Sequence, residues 1–555
     1  MLSELDRRYD EMLARVTGPG GPLAIGRDEQ GQAIVTNLPA TLPAFFRTFC
    51  ALNADNEAVV AGDERLTFAD LDRISGRLAH ALVARGIAKG DRVGIAMRNC
   101  PAWIVAYMAI LKAGGIATLL NGWWEAHEME HAIGLTEPKL ILADAPRAMR
   151  IAARCDKVDV ASLRIEQPVG DALAELLAGA DGRVALPDIK PDDDATILFT
   201  SGSTGEAKGA VSTHRAVTTA TYAYSTGLIV LRGLLEQEGR APATPPRTLL
   251  SVPLFHVTGE VPVMLNSFVV ARCMVVMPKW DVVEALKLIE RERITYFVGV
   301  PTMSLELMNH PDRGKYDLTS LKDITAGGAP RPVSHVERLQ REFPAAQPAL
   351  GYGLTETNAV GCSNFWGNYA AKPASTGRAQ RPYVEIAVFS DGDRRLAAGD
   401  VGEIGIRSAG NMRGYWRNAQ ATAEAIASDG YVRTGDVGFI DEDGYLFIVD
   451  RKKEIIIRGG ENISAAEVEA AIYGCDAIAE AAVFGVADER LGEVPVAIVR
   501  CKDGEQVDEA ELSAVLERRL ARFKIPDRIH VSPDPLPRLG TGKFDRRQLK
   551  ARYAR

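Results

Sequence analysis

The feature that most constrains how this chain folds is a loop rich in serine, threonine and glycine at residues 200–209. It reads Thr-Ser-Gly-Ser-Thr-Gly-Glu-Ala-Lys-Gly and follows directly on an apolar run at 195–199, which predicts a buried strand. Glycines let the backbone approach an anion closely, and the hydroxyls and Lys208 add donors and positive charge to the N–H groups of such a turn. The pattern predicts a phosphate-binding loop. A surface turn is the alternative, and the missing Gly-Lys-Ser/Thr triplet excludes a Walker A loop.

Length and charge limit the class of protein. The chain has 555 residues, and single hydrophobic cores stop growing near about 250–300 residues, so we expect at least two domains. Its composition, with 46% hydrophobic and 25% charged residues, is ordinary for a soluble globular protein. The formal net charge of −8 argues against nucleic acid as a partner, because nucleic-acid binders usually present a basic face.

Cysteine usage and the apolar segments indicate a cellular compartment. The seven cysteines are scattered, without a Cys-x-x-Cys pair, which predicts reduced thiols in a cytoplasmic protein. The N-terminus lacks the apolar core of a signal peptide. The longest apolar stretch, at 261–271, falls short of the ~18 residues that a membrane span needs. We therefore expect no transmembrane segment, and peripheral membrane contact stays open.

Strand and helix patterns alternate through most of the chain. A helix with Thr67 as its N-cap is predicted for 67–85, a strand for 91–97, a buried helix for 102–113 and a strand for 139–143. The same rhythm returns between 282 and 343. This alternation predicts a layered α/β fold with parallel sheets.

The predicted secondary-structure pattern changes near residue 384 and again after residue 450. From about residue 384, short strands with Asp-Gly turns predict a β-rich subdomain, and a separate compact unit follows residue 450. We expect an irregular lead-in at 1–40 because of its Gly and Pro residues, a large N-terminal domain at 41–450, and a small mobile α+β lid domain at 451–555. The active site would lie between the two domains.

Five further segments strengthen the interpretation of the 200–209 loop. They are Gly-Tyr-Gly-Leu-Thr-Glu at 351–356, Tyr-Val-Arg-Thr-Gly-Asp at 431–436, Asp-Arg-Lys-Lys-Glu at 450–454, Gly-Gly-Glu-Asn-Ile at 459–463 and Pro-Arg-Leu-Gly-Thr-Gly-Lys at 537–543. In order and spacing, these segments resemble the adenylate-forming superfamily of acyl-CoA synthetases, luciferases and adenylation domains of peptide synthetases. The resemblance covers roughly residues 40 to 550.

The resemblance implies a two-step ligase reaction. A carboxylate attacks the α-phosphorus of ATP to give an acyl-adenylate and pyrophosphate, and a thiol then displaces AMP. Such a site works by positioning and electrostatic stabilisation. ATP, Mg²⁺ and CoA are implied as cofactor and cosubstrates, and a small-molecule carboxylic acid as the partner.

Each motif implies a role in nucleotide binding. Glu356 would hold Mg²⁺ through its carboxylate, Thr355 would contact the α-phosphate, and Tyr352 would offer an aromatic face to adenine. Asp436 and Arg451 would bind the ribose. The other residues implied to bind ATP or AMP are the phosphate-loop residues Thr200, Ser201, Gly202, Ser203, Thr204, Gly205 and Lys208, together with Gly328, Ala329, Pro330 and Gly351 beside the adenine.

The C-terminal motifs imply a moving catalytic lid. Lys543, in a glycine-rich loop, would bridge the attacking carboxylate and the α-phosphate. Lys453 would be the hinge about which the lid rotates after adenylation. Gly459 and Gly460 would then line a pantetheine tunnel for CoA. His256, in Pro-Leu-Phe-His-Val-Thr-Gly, resembles the gate beside the carboxylate pocket; a carboxylate nucleophile needs no general base, and a buried structural histidine is the alternative.

The sequence departs from the family pattern at few positions. Ala207 and Ala465 replace prolines and Ser203 replaces a threonine, whereas Leu350 and Ile457 replace polar residues of plant-type coumarate ligases. The Phe-His-Val-Thr-Gly segment around His256 and the Gly-Gly-Glu-Asn-Ile segment at 459–463 most resemble bacterial medium- or long-chain fatty-acid ligases, so we expect a ligase for such acids. The alternatives are an aryl- or alicyclic-acid CoA ligase, an adenylating enzyme with a carrier-protein acceptor, and a non-catalytic nucleotide-binding homologue. Monomer and homodimer are both left open.

Overall fold

The computed structural model of the chain describes most of its residues. The described ranges are 2–155, 157–178, 184–200, 207–242, 244–328, 331–391, 394–452, 454–458, 461–538 and 544–553. All statements about structure below refer to these ranges.

Strands occur along almost the whole length of the chain. In chain order they are β1 (Ile25–Arg27), β2 (Ala33–Val35), β3 (Glu57–Ala61), β4 (Glu64–Thr67), β5 (Arg92–Ala96), β6 (Ile116–Leu119), β7 (Leu140–Asp144), β8 (Val160–Leu163), β9 (Asp194–Thr200), β10 (Lys208–Thr213), β11 (Arg247–Leu250), β12 (Cys273–Val276), β13 (Tyr296–Gly299), β14 (Asp323–Ala326), β15 (Gln347–Gly353), β16 (Gly361–Phe365), β17 (Gly377–Ala379), β18 (Glu385–Phe389), β19 (Gly402–Arg407), β20 (Gly414–Tyr415), β21 (Val432–Ile440), β22 (Tyr445–Arg451), β23 (Ile456–Arg458), β24 (Glu461–Ile463), β25 (Ile478–Asp488), β26 (Gly492–Cys501) and β27 (Arg528–Val531).

Helices alternate with the strands, as the sequence predicts. They are α1 (Glu4–Thr17), α2 (Leu42–Leu52), α3 (Phe68–Ala84), α4 (Pro101–Lys112), α5 (Ala126–Thr136), α6 (Ala145–Ala152), α7 (Val169–Ala172), α8 (Ala174–Leu177), α9 (His214–Gln237), α10 (Asn266–Val269), α11 (Val282–Arg291), α12 (Pro301–Asn309), α13 (Val333–Glu342), α14 (Trp366–Ala371), α15 (Ala419–Ala425), α16 (Ala465–Ile472), α17 (Glu509–Glu517) and α18 (Arg546–Tyr553). A π-helical segment covers Gly259–Leu265, and single 3₁₀ turns cover Pro311–Lys315, Thr355–Thr357 and Arg522–Lys524.

Two large sheets dominate the N-terminal part. The seven-stranded sheet has the order β20-β10-β9-β6-β5-β7-β8, parallel from β9 to β8 and antiparallel at the β10 and β20 edge. One hydrophobic core includes side chains of both large sheets and of α2, α3, α4 and α9. The layered α/β architecture that the alternation predicts is therefore confirmed.

The second sheet joins the β-rich region to the α/β region. Its order is β18-β19-β21-β22-β17-β16-β15-β14-β13-β11-β12-β3-β4. β15 pairs in parallel with β14 and antiparallel with β16, so the sheet changes from parallel to antiparallel pairing at that strand. The predicted β-rich subdomain therefore continues the same thirteen-stranded sheet. The predicted Asp-Gly turn at 443–444 joins β21 to β22, and the left-handed φ of +81° at Gly444 is a conformation that glycine adopts without steric cost.

The C-terminal residues build their own core. Strands β23 to β27 form a five-stranded sheet, and two apolar clusters of the unit contain only residues between 456 and 553. This matches the expected small α+β unit, whereas the domain boundary at 450/451 stays a prediction. None of the described helices combines the length and the apolar character that crossing a membrane requires.

The prediction of an irregular lead-in at 1–40 is wrong for its first half. Residues 4–17 form α1, which begins at an N-cap, Ser3, whose side chain accepts a hydrogen bond from the backbone of Asp6. The buried Asp6 carboxylate accepts hydrogen bonds from Tyr445 at 2.9 Å and Asn368 at 3.1 Å and pairs with Arg378 at 3.1 Å. These tertiary bonds hold α1 on the body of the protein. The Gly and Pro residues that suggested an irregular segment lie only after the helix.

Replacing Asp6 tests whether this anchor stabilises the fold. Removing one partner of a buried ion pair costs about 3–5 kcal/mol. We expect Asp6→Ala to lower Tm by several degrees and the matched change at the exposed Glu11 to leave it unchanged. Thermal unfolding followed by circular dichroism measures both; equal Tm values for the two variants would contradict the anchor.

One carboxyl group of the N-terminal part is fully buried. Glu260, in the π-helical segment, is fully buried, and its Oε1 accepts a hydrogen bond of 2.6 Å from the Tyr107 hydroxyl on α4. No described residue provides a hydrogen bond to its Oε2. Burial raises the pKa of Glu260 from its ordinary 4.5 to about 7, because desolvation disfavours the charged form.

This shift predicts a pH dependence of stability. Between the two pKa values the folded protein keeps a proton that the unfolded chain has lost. Protonation of Glu260 therefore contributes fully to the free energy of unfolding below about pH 4.5. This contribution is lost as the pH rises through about 7, at up to about 1.4 kcal/mol per pH unit. We expect Glu260→Gln to flatten the fall of Tm between about pH 5 and about pH 8, and Glu11→Gln to leave that fall as in the wild type. An identical fall in all three proteins would refute the assignment.

Candidate active site

Strands β9 and β10 bring the two ends of the predicted phosphate loop together. They pair antiparallel with Thr200 opposite Lys208, so the loop leaves and re-enters the sheet at one place. The ammonium of Lys208 lies 5.2 Å from the ring centroid of Tyr415. Ser201, Gly202, Ser203, Thr204 and Gly205 lie outside the described residues, and their phosphate contacts stay predictions.

The predicted metal ligand, Glu356, lies beside these loop ends. It sits with Thr355 in a 3₁₀ turn just after β15, and its Oε1 accepts a hydrogen bond of 2.7 Å from Tyr415. The turn ends at Asn358, whose side chain donates to Ser212 of β10 at 2.9 Å and to the carbonyl of Gly410 at 2.8 Å. These bonds join the 355–358 turn to the strand that follows the phosphate loop.

The surroundings of Glu356 fit a magnesium ion held jointly with phosphate. Within the described ranges, no group of three or more His, Cys, Asp or Glu residues could hold a metal by itself. Mg²⁺ is usually bound through one or two carboxylates together with the phosphates of a nucleotide. Glu356 has one oxygen that accepts from Tyr415 and a second, Oε2, that accepts from no described residue. A single carboxylate beside the predicted phosphate loop matches this chemistry.

The predicted ribose residues meet on the thirteen-stranded sheet. Asp436 on β21 lies opposite Arg451 on β22, and Arg451 Nε is 3.2 Å from Asp436 Oδ1. The Tyr352 hydroxyl, at the end of β15, donates to Asp436 Oδ2 at 2.7 Å. Burial, followed by the neighbouring Asp436 charge, raises the pKa of Tyr352, so the phenol stays a donor. The structure thus brings these three residues together, whereas stacking of adenine on the ring face stays a prediction.

The adenine segment and the histidine segment are neighbours. A Cβ placed on Gly327 would lie 3.7 Å from the carbonyl oxygen of Gly351 and 4.0 Å from Thr258, which comes two residues after His256. Gly328 has a left-handed φ of +74°, which favours glycine. Ala329 and Pro330 lie outside the described residues.

The loop that carries His256 is held from another element. The side chain of Asn99, just before α4, accepts a hydrogen bond from the N–H of Leu254 at 2.9 Å and donates to the carbonyl of Val252 at 2.8 Å. His256 Nδ1 accepts from the N–H of Thr258 at 3.3 Å. The histidine is therefore oriented by local backbone contacts, and its function as a gate stays a prediction.

The hinge region contacts both the large sheet and the C-terminal unit. The Asp450 carboxylate accepts from the backbone of Ala466 at 3.3 Å, and Ser464 donates to the carbonyl of Val449 at 2.7 Å. Lys452 lies 3.2 Å from Glu403. Lys453, Gly459, Gly460 and Lys543 lie outside the described residues, so the structure neither places nor tests the predicted hinge, tunnel and catalytic lysine.

Sequence reasoning missed two residues that organise this region. Tyr415 contacts both Glu356 and Lys208, and Asn99 holds the His256 loop. Tyr415 lies 59 residues from Glu356 and Asn99 lies 155 residues from Leu254. No local pattern marks either residue, because each acts only through partners that folding brings near.

Comparison with known proteins identifies the family. The family described as AMP-binding enzyme matches residues 46–416, and the family described as AMP-binding enzyme C-terminal domain matches residues 467–543. A long-chain-fatty-acid–CoA ligase of Bacillus subtilis is 33% identical over 541 residues, covering 92% of this chain and 94% of the relative. A feruloyl-CoA synthase of an Amycolatopsis species is 34% identical, covering 89% and 96% of the two chains. A 3-[(3aS,4S,7aS)-7a-methyl-1,5-dioxo-octahydro-1H-inden-4-yl]propanoyl:CoA ligase of Mycobacterium tuberculosis is 35% identical, covering 92% and 98%.

Solved structures agree with this result. ATP-bound MatB of Rhodopseudomonas palustris is 29% identical, with a TM-score of 0.81, covering 93% of this chain and 99% of that one. The o-succinylbenzoate CoA synthetase of Bacillus subtilis in complex with ATP and a magnesium ion is 27% identical, with a TM-score of 0.78, covering 91% and 99%. Together with the site geometry, these matches show that the chain belongs to the adenylate-forming superfamily, as an AMP-forming acyl-CoA synthetase that uses ATP and CoA.

Proposed function

We propose that this ligase activates a medium- or long-chain fatty acid, and that magnesium held by Glu356 assists the adenylation step. The observation that carries the magnesium proposal is the position of Glu356 beside the ends of the predicted phosphate loop. Lys208 pairs with Thr200, and both Lys208 and Glu356 contact Tyr415. The match to a long-chain-fatty-acid–CoA ligase and the resemblance of the His256 segment to bacterial fatty-acid ligases support the acid class.

The chemical requirements of adenylation explain the proposed roles. ATP is a polyanion that repels the attacking carboxylate, so the site must supply positive charge and fixed donors around the phosphates. Lys208 and the hydroxyls of residues 200–204 would bind the β- and γ-phosphates. Asp436 would accept hydrogen bonds from the ribose hydroxyls, and Tyr352 and Arg451 already orient its carboxylate. When bound, Mg²⁺ would neutralise part of the phosphate charge.

The lid would supply the remaining charge. Lys543 would approach the attacking carboxylate and the α-phosphate during adenylation, and rotation about Lys453 would then withdraw it. Gly459 and Gly460 would enter in its place and let the thiol arm of CoA pass close to backbone. The division into a large domain that ends at 450 and a lid at 451–555 is part of this proposal, as are a cytoplasmic location and a monomeric or homodimeric state.

An aryl or alicyclic acid is the second candidate substrate, because the relatives include a feruloyl-CoA synthase and an alicyclic propanoyl:CoA ligase. The structure places Leu350, which replaces a polar residue of plant-type coumarate ligases, among packed apolar side chains. Leu350 packs in a cluster with Ala326, Val336 and Tyr369, and successive side chains of a strand point to opposite faces. Leu350 therefore faces away from Tyr224, whose hydroxyl lies 3.9 Å from the position that a Cβ on Gly351 would take.

Pyrophosphate release over a panel of carboxylic acids, with and without CoA, tests the substrate proposal. We expect turnover that needs CoA and is fastest with fatty acids of medium to long chain. Activity confined to aromatic or alicyclic acids would transfer the proposal to the second candidate. If a phosphopantetheinyl carrier protein sustained turnover and CoA did not, a carrier-loading reaction would replace CoA ligation.

Lys543→Ala tests the two-step account. We expect it to abolish formation of the acyl-adenylate and largely to spare thioester formation from supplied acyl-adenylate, because the lysine leaves the site before the second step. The exposed Lys550 on α18 is the matched control, and its change to alanine should spare both half-reactions. Equal loss of both half-reactions in Lys543→Ala would refute a lid with two positions.

A further inference from the structure

Tyr415 lies where the predicted phosphate loop and the predicted metal ligand meet. Its hydroxyl donates to Glu356 Oε1 at 2.7 Å, and its ring centroid is 5.2 Å from the Lys208 ammonium. One side chain therefore contacts both the lysine at the end of the loop and the carboxylate.

The backbone around Tyr415 is held on both sides. The N–H of Met412 donates to the carbonyl of Glu356 at 2.8 Å, and the N–H of Trp416 donates to the carbonyl of Gly209 at 2.7 Å. The N–H of Tyr415 itself donates to the Thr422 hydroxyl at 2.9 Å. The segment 412–416 thus connects the 355–357 turn with β10.

The charges explain what such a residue could do. Glu356 and Lys208 have opposite charges and contact the same aromatic side chain from different directions. Without a spacer, the two could approach each other, and an ion pair between them would occupy both the metal ligand and the phosphate-binding cation. A cation is attracted to the face of an aromatic ring, and a phenol hydroxyl orients a carboxylate by donating to one oxygen. The ring and the hydroxyl therefore satisfy both charges separately.

We propose that Tyr415 is a positioning residue that keeps Glu356 and Lys208 apart and aims the remaining Glu356 oxygen at the magnesium ion. The inference rests on the proposed function, since it takes Glu356 as the magnesium ligand. The Tyr415 hydroxyl then affects how strongly Mg²⁺ tightens nucleotide binding, and the ring affects nucleotide binding in the absence of Mg²⁺.

Binding of α,β-methylene-ATP, measured by calorimetry without acid or CoA, separates these parts. Tyr415→Phe removes the hydroxyl and keeps the ring. We expect the Mg²⁺ concentration for half-maximal tightening of binding to rise about tenfold, which is the size of effect expected for losing a hydrogen bond to a charged group. Its affinity in EDTA should equal that of the wild type.

Two more variants complete the test. Tyr415→Leu removes the ring as well and should also weaken binding in EDTA, because Lys208 loses its partner. Tyr445→Phe is the matched control: the Tyr445 hydroxyl also donates to a carboxylate, that of Asp6 at 2.9 Å, in a different region of the fold. We expect it to keep the wild-type dependence on Mg²⁺.

The outcomes distinguish the inference from the proposed function. If wild-type binding does not depend on Mg²⁺, or if Glu356→Gln keeps that dependence, the metal assignment fails. If Glu356→Gln removes the dependence and Tyr415→Phe leaves it unchanged, only the inference about Tyr415 is overturned. A Tyr415→Phe variant that loses the same affinity with Mg²⁺ and in EDTA would also overturn it, because the hydroxyl would then act on nucleotide binding in general.

Discussion

Hydrogen bonding between strands is the interaction on which the candidate site depends. The pair of Thr200 with Lys208 closes the base of the predicted phosphate loop, and the pair of Asp436 with Arg451 places the two predicted ribose residues side by side. The short β20 adds to the edge of the seven-stranded sheet and carries Tyr415 to Glu356. Because ladder bonds fix residues that are far apart in sequence to within one strand spacing, the charges of the site are positioned before a nucleotide binds.

The thirteen-stranded sheet carries the other residues of the candidate site. β15 is the last strand of the parallel region and the first of the antiparallel region, and the segment from Gly351 to Glu356 runs from its end. The change in strand direction brings the antiparallel β21 and β22, with Asp436 and Arg451, into the same sheet as the parallel strands that end near Gly327. Glu260 is fully buried in the same part of the chain, and burial raises the pKa of its carboxyl group to about 7.

Much of the fold could be predicted from local patterns. The N-cap at Thr67, the buried helix α4 and the strand β9 follow from capping chemistry and hydrophobic periodicity, and the structure confirms them. Residues 4–17 differ from the prediction because the Gly and Pro residues follow α1, whereas a capping box of Ser3 and Asp6 begins it. The bonds of Asp6 to Tyr445 and Arg378 span more than 370 residues of sequence, and no local window contains them.

The sequence by itself determined the chemistry of this protein: a hydroxyl- and glycine-rich loop with one lysine, a carboxylate after a Tyr-Gly-Leu-Thr segment, and the order of motifs that marks an adenylate-forming enzyme. These are properties of residue type and spacing, which the sequence contains without any knowledge of the fold. Only the tertiary structure decided that the β-rich region continues the α/β sheet, that Leu350 packs against Ala326 and Tyr369, and that Tyr415 contacts both Lys208 and Glu356. Those facts depend on which strands pair and which face each side chain takes, and pairing between distant segments is set by burial of the whole core.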